Sequence, residues 1–149
     1  MDEIHLIKSA QKRDLESYND IVLACQDEAY TLAFSILGNV ELACRVVQEA
    51  FLRMYHTYTR GGDNRIIVLR VLQEVIFSCQ QEIPSGSREA EFPIPGWAQL
   101  ECYEQETLLL VDTLGKTYHD AAFILKCSEC DVARLVACGR CKLATGLCS

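Results

Sequence analysis

The chain is 149 residues long and carries 14 Lys and Arg against 21 Asp and Glu, a formal net charge of −7. Half of the residues are apolar, with only 8 Gly and 3 Pro, which excludes a disordered or low-complexity chain and suits one ordinary domain or two small helical ones. No apolar run approaches the ~20 residues a membrane helix needs, and the acidity counts against nucleic acid, whose binders usually show a basic patch. The acidic N-terminus also lacks the basic-then-apolar pattern of a secretion signal, so a cytoplasmic protein with no membrane partner is expected. Nine cysteines, an odd number without such a signal, argue against a disulfide scaffold. Reduced thiols acting as small core residues are the simpler reading.

In chain order, the first eighty or so residues read as helices. Tyr18, Ile21, Val22, Cys25, Leu32, Ala33 and Ile36 recur at spacings of three and four, which places them on one helical face. Asp14 is expected to cap the start of this helix and Gly38 to end it. Asn39 caps the next helix, with Glu41 near its positive end, and its apolar stripe is Ala43, Val46, Val47, Ala50, Phe51 and Met54. Gly61 and Gly62 break the chain, and Asp63 or Asn64 restarts it. The segment Ile66–Cys79 is apolar on nearly every side, which predicts a helix buried among others or against a partner.

From Ile83 to Gln99 the periodicity disappears among Pro84, Ser85, Gly86, Ser87, Pro93, Pro95 and Gly96. This stretch reads as an interdomain linker, with Phe92 and Trp97 as docking points. Beyond it, Glu104 to Thr113 forms one amphipathic helix, broken near Gly115. Thr117 and Asp120 make a capping box ahead of Ala121, Ala122, Ile124 and Leu125. Ser128 and Asp131 make a second one ahead of Val132, Leu135 and Val136. Two capped helices separated by Lys126, Cys127 and Ser128 describe a helix-turn-helix or, in the plainer reading, a helical hairpin. The expected fold is all-α: two small helical domains, residues 1–82 and 100–149, joined by the linker 83–99.

This layout resembles a bacterial extracytoplasmic-function (ECF) sigma factor over most of the chain. The run Ala43–Tyr55 looks like the helix with which such factors grip the polymerase clamp, and Gln48, Glu49, Phe51 and Leu52 match its pattern. Leu6, Ile7 and Ala10, then Leu32, Ala33, Leu37 and Gly38, also fall where the family places them. In the second half Tyr118, Ala121, Ile124, Leu125, Cys127, Ser128, Glu129 and Val132 fit its four-helix promoter-reading domain. The resemblance implies a transcription initiation factor with neither enzymatic activity nor cofactor. It would bind RNA polymerase core, at the clamp of the β′ subunit, through Gln48, Glu49, Phe51, Leu52 and Arg53. It would meet promoter DNA through Arg65, Arg70, Ser128, Arg134, Arg140 and Lys142, and an anti-sigma factor is the further partner implied.

The departures fall on the DNA side. Where the family exposes polar and basic residues on the helix matching Ile66–Glu82, this chain has Gln73 and Glu74, and the terminal basic cluster is replaced by Gln80, Gln81 and Glu82. The exposed basic positions of the recognition helix hold Ala133, Leu135, Ala137 and Cys138. Residues 1–82 carry 8 basic and 12 acidic side chains, and residues 98–149 carry 5 and 7. Phosphate contacts supply most nonspecific DNA affinity, so a negative DNA-reading domain is handicapped. A second reading follows: a sigma-like protein that has lost promoter reading and acts through protein contacts. It draws on the apolar surplus of Ile66–Phe77 and Leu135–Ala137 as a partner surface.

Other constellations carry less. Cys127/Cys130 and Cys138/Cys141 are two CxxC pairs with the spacing of a four-thiolate zinc site. Both fall in one continuous helix, however, where Cys130 and Cys138 lie about 12 Å apart. One zinc with ligands at ~2.3 Å cannot collect all four, so no metal is expected and a thiolate-metal or redox module is the third reading. Cys148 is expected to be exposed and oxidisable. His5, His56 and His119 have no catalytic partner at a telling spacing. Asp27-Glu28 and the set Glu101, Glu104, Glu106 read as solvated helix faces. Gly61-Gly62 lacks the Lys-Ser or Lys-Thr of a phosphate loop.

Overall fold

The computed structural model describes the backbone of residues 3–58, 63–82 and 96–147, and the side chains of these from Leu15 to Thr145. Among the described residues there are six α-helices and no strand, so the fold is all-α. They are α1 (Glu3–Leu37), α2 (Val40–Thr57), α3 (Asn64–Glu82), α4 (Cys102–Leu108), α5 (Tyr118–Leu125) and α6 (Glu129–Leu147). A short 3-10 turn, Trp97–Gln99, precedes α4.

Local chemistry sets most of the boundaries. Gly38 takes φ +68°, a left-handed conformation that costs glycine little, and its N–H closes α1 on the Phe34 carbonyl at 2.7 Å. Asn39 then caps α2, its side chain accepting from the Leu42 N–H at 2.9 Å. Asp63 starts α3 by accepting from the Arg65 N–H at 2.9 Å. At the end of α4 the backbone widens into a π turn over Leu109–Thr113. Gly115 (φ +69°) closes it, with the Lys116 N–H on the Leu110 carbonyl at 2.9 Å. Thr117 accepts from the Asp120 N–H at 3.1 Å. Ser128 and Asp131 cap each other reciprocally, at 3.0 and 3.2 Å. One expectation is corrected: α1 runs unbroken through Asp14, because nothing between Glu3 and Leu37 interrupts helical backbone.

Helices α1, α2 and α3 pack on one another, α6 packs on α4 and α5, and α3 also packs on α5. The buried stripe of α2 is Ala43, Val46, Val47, Ala50, Phe51 and Met54, as the 3.6-residue period predicts. Helix α3 is central and buries Ile67, Leu69, Val71, Leu72, Val75, Ile76, Ser78 and Cys79. Its apolar surplus is consumed by packing, with Phe77 the large exception at 57% exposed. Trp97 is 6% exposed and belongs to the folded second half, whereas the rest of the expected linker up to Pro95, Phe92 included, lies outside the described residues. The buried apolar residues of both halves join in one cluster. Full burial of a Leu such as Leu32, Leu72 or Leu110 contributes about 1.5–3 kcal/mol.

Candidate functional site

Three surfaces hold the residues the sequence points to. The first is the outward side of α2. Gln48, Glu49 and Leu52 are exposed there, and Leu52 keeps 65% of its surface in solvent. Phe51 is the correction. It is 8% exposed, it faces the core, and its carbonyl accepts from the Tyr18 hydroxyl at 2.5 Å, so it supports the helix from behind. The period that buries Val47 and Met54 buries Phe51 with them. Burial, with Cys25 nearby, pushes the Tyr18 phenol up to about 12, so it remains a donor well above neutral pH. Arg53 is half-exposed and tied to α3: its guanidinium donates to Ser78 Oγ and lies 3.3 Å from Glu74. Arg45 pairs with Glu82 at 2.9 Å. Glu74 and Glu82, two of the acidic departures on α3, thus anchor the cations of α2.

The second surface is the seam between the halves. Arg65 pairs with Asp120 at 2.6 Å, where the arginine is exposed and the carboxylate mostly buried. Gln73 donates its amide to the Phe123 and Ile124 carbonyls at 3.0 and 3.3 Å. Those carbonyls are in the last turn of α5, where a helix runs short of N–H donors of its own; the Phe123 carbonyl otherwise accepts only from the Lys126 N–H, at 3.3 Å, among the described residues. Gln80 donates to Glu106 at 3.1 Å, and Lys116 pairs with Glu28 of α1 at 2.9 Å. Arg70 is exposed and has no ion pair with another described residue. Beside the seam, Glu74, Phe77, Gln80, Tyr103, Leu125 and Lys126 line part of a groove of about 430 Å³.

The third surface is α5, its turn and α6. Lys126 holds the turn at φ +57°, the left-handed position where glycine is usual, and the Cys127 N–H returns to the Ala122 carbonyl at 3.0 Å. The expected DNA-contacting residues of this surface, Ser128 in the turn and Arg134, Arg140 and Lys142 on α6, are all occupied. Ser128 spends its hydroxyl on the cap. Arg134 lies 3.7 Å from Asp131 one turn back, and Arg140 is gripped by Asp112 at 2.5 Å. Lys142 donates to Glu104 at 2.7 Å. Glu104 is 2% exposed. Burial alone would raise its pKa, but Lys142 and the Glu101 N–H outweigh that and hold the carboxyl below the usual carboxylate value.

Sequence reasoning missed the partners of these cations. The pairing of Asp112 with Arg140, of the Asp120 carboxylate with Arg65 and of Gln73 with the α5 carbonyls gave no local signal, because each joins elements distant in sequence. Glu104 and Glu106 were expected on a solvated face; both are buried, since that face of α4 lies against α6 and α3. Outward, α6 shows Glu129, Cys130, Ala133, Ala137, Cys138 and Cys141. Leu135, part of the expected apolar partner surface, is half-buried, and Val136 is in the core. Among the described residues no three His, Cys, Asp or Glu side chains converge as a metal site requires. No described helix is long and apolar enough to cross a membrane.

No family model matches the chain. Over 59 residues it is 43% identical to the ECF RNA polymerase sigma factor SigW of Bacillus subtilis (strain 168), a match covering 40% of this chain and 32% of that protein. The chain thus spans about a third of the length of the curated relative it matches. This partial similarity supports the ECF sigma family.

Proposed function

We propose that the protein is an ECF-type sigma factor, a non-enzymatic transcription regulator with two domains, residues 1–82 and 100–149. The outward face of α2, Gln48, Glu49 and Leu52, contacts core RNA polymerase. Phe51 and Arg53 hold that face in place from the core and from α3. Helices α5 and α6 form the helix-turn-helix directed at promoter DNA, with Ser128, Arg134, Arg140 and Lys142 as its contacts and Arg65 and Arg70 as those of α3. The observation that carries the reading is the 43% identity to a sigma factor over 59 residues. Two helices, one capped by Thr117 and the other by the reciprocal Ser128–Asp131 pair, joined by a three-residue turn, are its structural counterpart.

A specific observation favours the second reading, in which promoter contact is lost and the protein acts on polymerase or an anti-sigma factor. Arg65, Arg134, Arg140 and Lys142 each have a carboxylate partner within the chain. A cation already neutralised releases fewer counterions from DNA. Run-off transcription with purified core polymerase on a promoter library decides between them. Promoter-specific transcripts support the initiation factor. Core binding without any such transcript supports the second reading, and failure to bind core overturns the initiation factor and leaves the second reading only its anti-sigma contact.

A further inference from the structure

Helix α6 carries a pair of thiols with no part in the contacts proposed above. Cys138 and Cys141 are both exposed and stand three residues apart in the middle of the helix. Side chains at that spacing share a face, with Cβ atoms about 5–6 Å apart. A disulfide requires about 3.5–4.5 Å between them, so bridging the pair must pull the local backbone out of regular helix.

The segment at the pair, residues 139–142, touches α4 and the π turn that follows it. Gly139 lies against Leu108 so closely that a Cβ there would sit 2.9 Å from Leu108 Cδ1. The next residue, Arg140, is 2.5 Å from Asp112, and Lys142 is 2.7 Å from the buried Glu104. Glycine within a helix also offers the backbone the freedom to distort.

Among the described residues no other cysteines are so arranged. Cys25 and Cys79 are buried. Cys127 is half-buried, and burial together with Asp131 pushes its thiol up, away from the reactive thiolate. Cys44 and Cys102 are exposed but have no second cysteine three or four residues away, and Cys130 has only Cys127.

We propose that Cys138 and Cys141 are a vicinal dithiol that reacts with small-molecule disulfides, closes to an intrahelical disulfide, and thereby loosens α6 from α4. In the first step the thiolate of one cysteine attacks a sulfur of the small disulfide, forming a mixed disulfide and expelling one small thiolate. The second cysteine thiolate then attacks the protein sulfur of that mixed bond and expels the other. The two thiol protons leave on the two small thiols, so the protein is oxidised by two electrons and the small disulfide is reduced by two. The distorted segment no longer presents Gly139 and Lys142 to α4 or Arg140 to the π turn after it.

The test uses the full reduced chain, oxidised glutathione, alkylation of remaining thiols and tryptic mapping. Cleavage after Arg140, which lies between the two cysteines, leaves the bridge holding two peptides together. The expected result is loss of two hydrogens with Cys138 and Cys141 linked, and amide exchange across residues 104–112 faster by about tenfold, reversed by dithiothreitol. Cys138→Ser and Cys141→Ser should each take up one glutathione moiety and keep the exchange of the reduced protein; Cys130→Ser should behave as the unmodified chain. A bridge to Cys102 or Cys130, a disulfide-linked dimer, no oxidation, or closure without faster exchange in α4 would each overturn the proposal. None of these readouts involves polymerase or DNA, so the result stands apart from the sigma-type reading.

Discussion

Helices α2 and α6 are nearly equal in length, 18 and 19 residues, and each turns one side to solvent, yet the two sides differ in kind. On α2 the cations Arg45 and Arg53 reach sideways to α3 and leave an exposed leucine between polar residues. On α6 small residues face outward, and the cations are drawn back to carboxylates of the same half. An exposed Leu beside amide and carboxylate groups suits another protein's surface. A row of small residues flanked by neutralised cations offers little to phosphate. The family resemblance is therefore uneven in physical content, fuller on the face proposed for polymerase than on the face proposed for DNA.

The comparison assumes that both faces rest on one core, and the largest expected effect tests that assumption. Leu72→Ala, in the fully buried centre of α3, should cost about 2–5 kcal/mol. The chain has a single tryptophan, Trp97, buried in the second half. Urea unfolding followed by its fluorescence should show the full loss from this first-half substitution. An unchanged midpoint would mean that the halves are energetically independent.

Leu52→Glu should weaken core polymerase binding by about tenfold or more, while stability changes by less than about 0.5 kcal/mol. Titration calorimetry with core polymerase and parallel urea curves measure both quantities. Equal affinity would remove the outward face of α2 from the interface.

Acid tests the α6 side. The Glu104 carboxyl sits below its ordinary value of 4.5 in the folded chain, so its contribution is complete above the unfolded value and is lost as pH falls through the folded one. Glu104→Gln should cost about 1–2 kcal/mol at pH 7 and flatten the decline in stability below about pH 5. Urea midpoints measured across that range decide it, and an unchanged acid limb would show that Lys142 lends the carboxylate nothing.

The smallest effect is the most direct probe of the difference. Asp112→Asn releases Arg140 from its exposed pair. DNA affinity should rise about two- to threefold, with a salt slope steeper by nearly one. Fluorescence anisotropy with a duplex at several salt concentrations measures both. No change would mean that α6 does not approach DNA.

The parts of the fold legible in the sequence are those decided within a few residues. Asn39, Thr117 and the Ser128–Asp131 box announce helix starts, because a cap needs only a short polar side chain two or three residues from the N–H it satisfies. The buried stripes of α1 and α2 follow from spacing alone. What stayed hidden depends on which helices meet. Glu104 and Glu106 look like surface carboxylates until α4 is laid against α6 and α3. Phe51 satisfies a binding pattern and a core period at once, and only packing decides for the core. Asp120 serves its cap through its backbone N–H and Arg65 through its carboxylate, and only the first use is local.

The Arg65–Asp120 pair joins positions 55 residues apart, and Gln73 reaches 50 residues along the chain to Phe123. Contacts of such separation close large loops, at a higher entropic cost than the 33-residue contact of Tyr18 on α1 with Phe51 on α2. During synthesis the chain emerges from its N-terminus, so α3 is complete before Asp120 or the carbonyls of α5 exist. In the interval between translation of Glu82 and of Asp120, neither Arg65 nor Gln73 has its seam partner within the chain. The nascent protein therefore passes through a stage in which Arg65 and Gln73 are open to any other molecule that reaches them first.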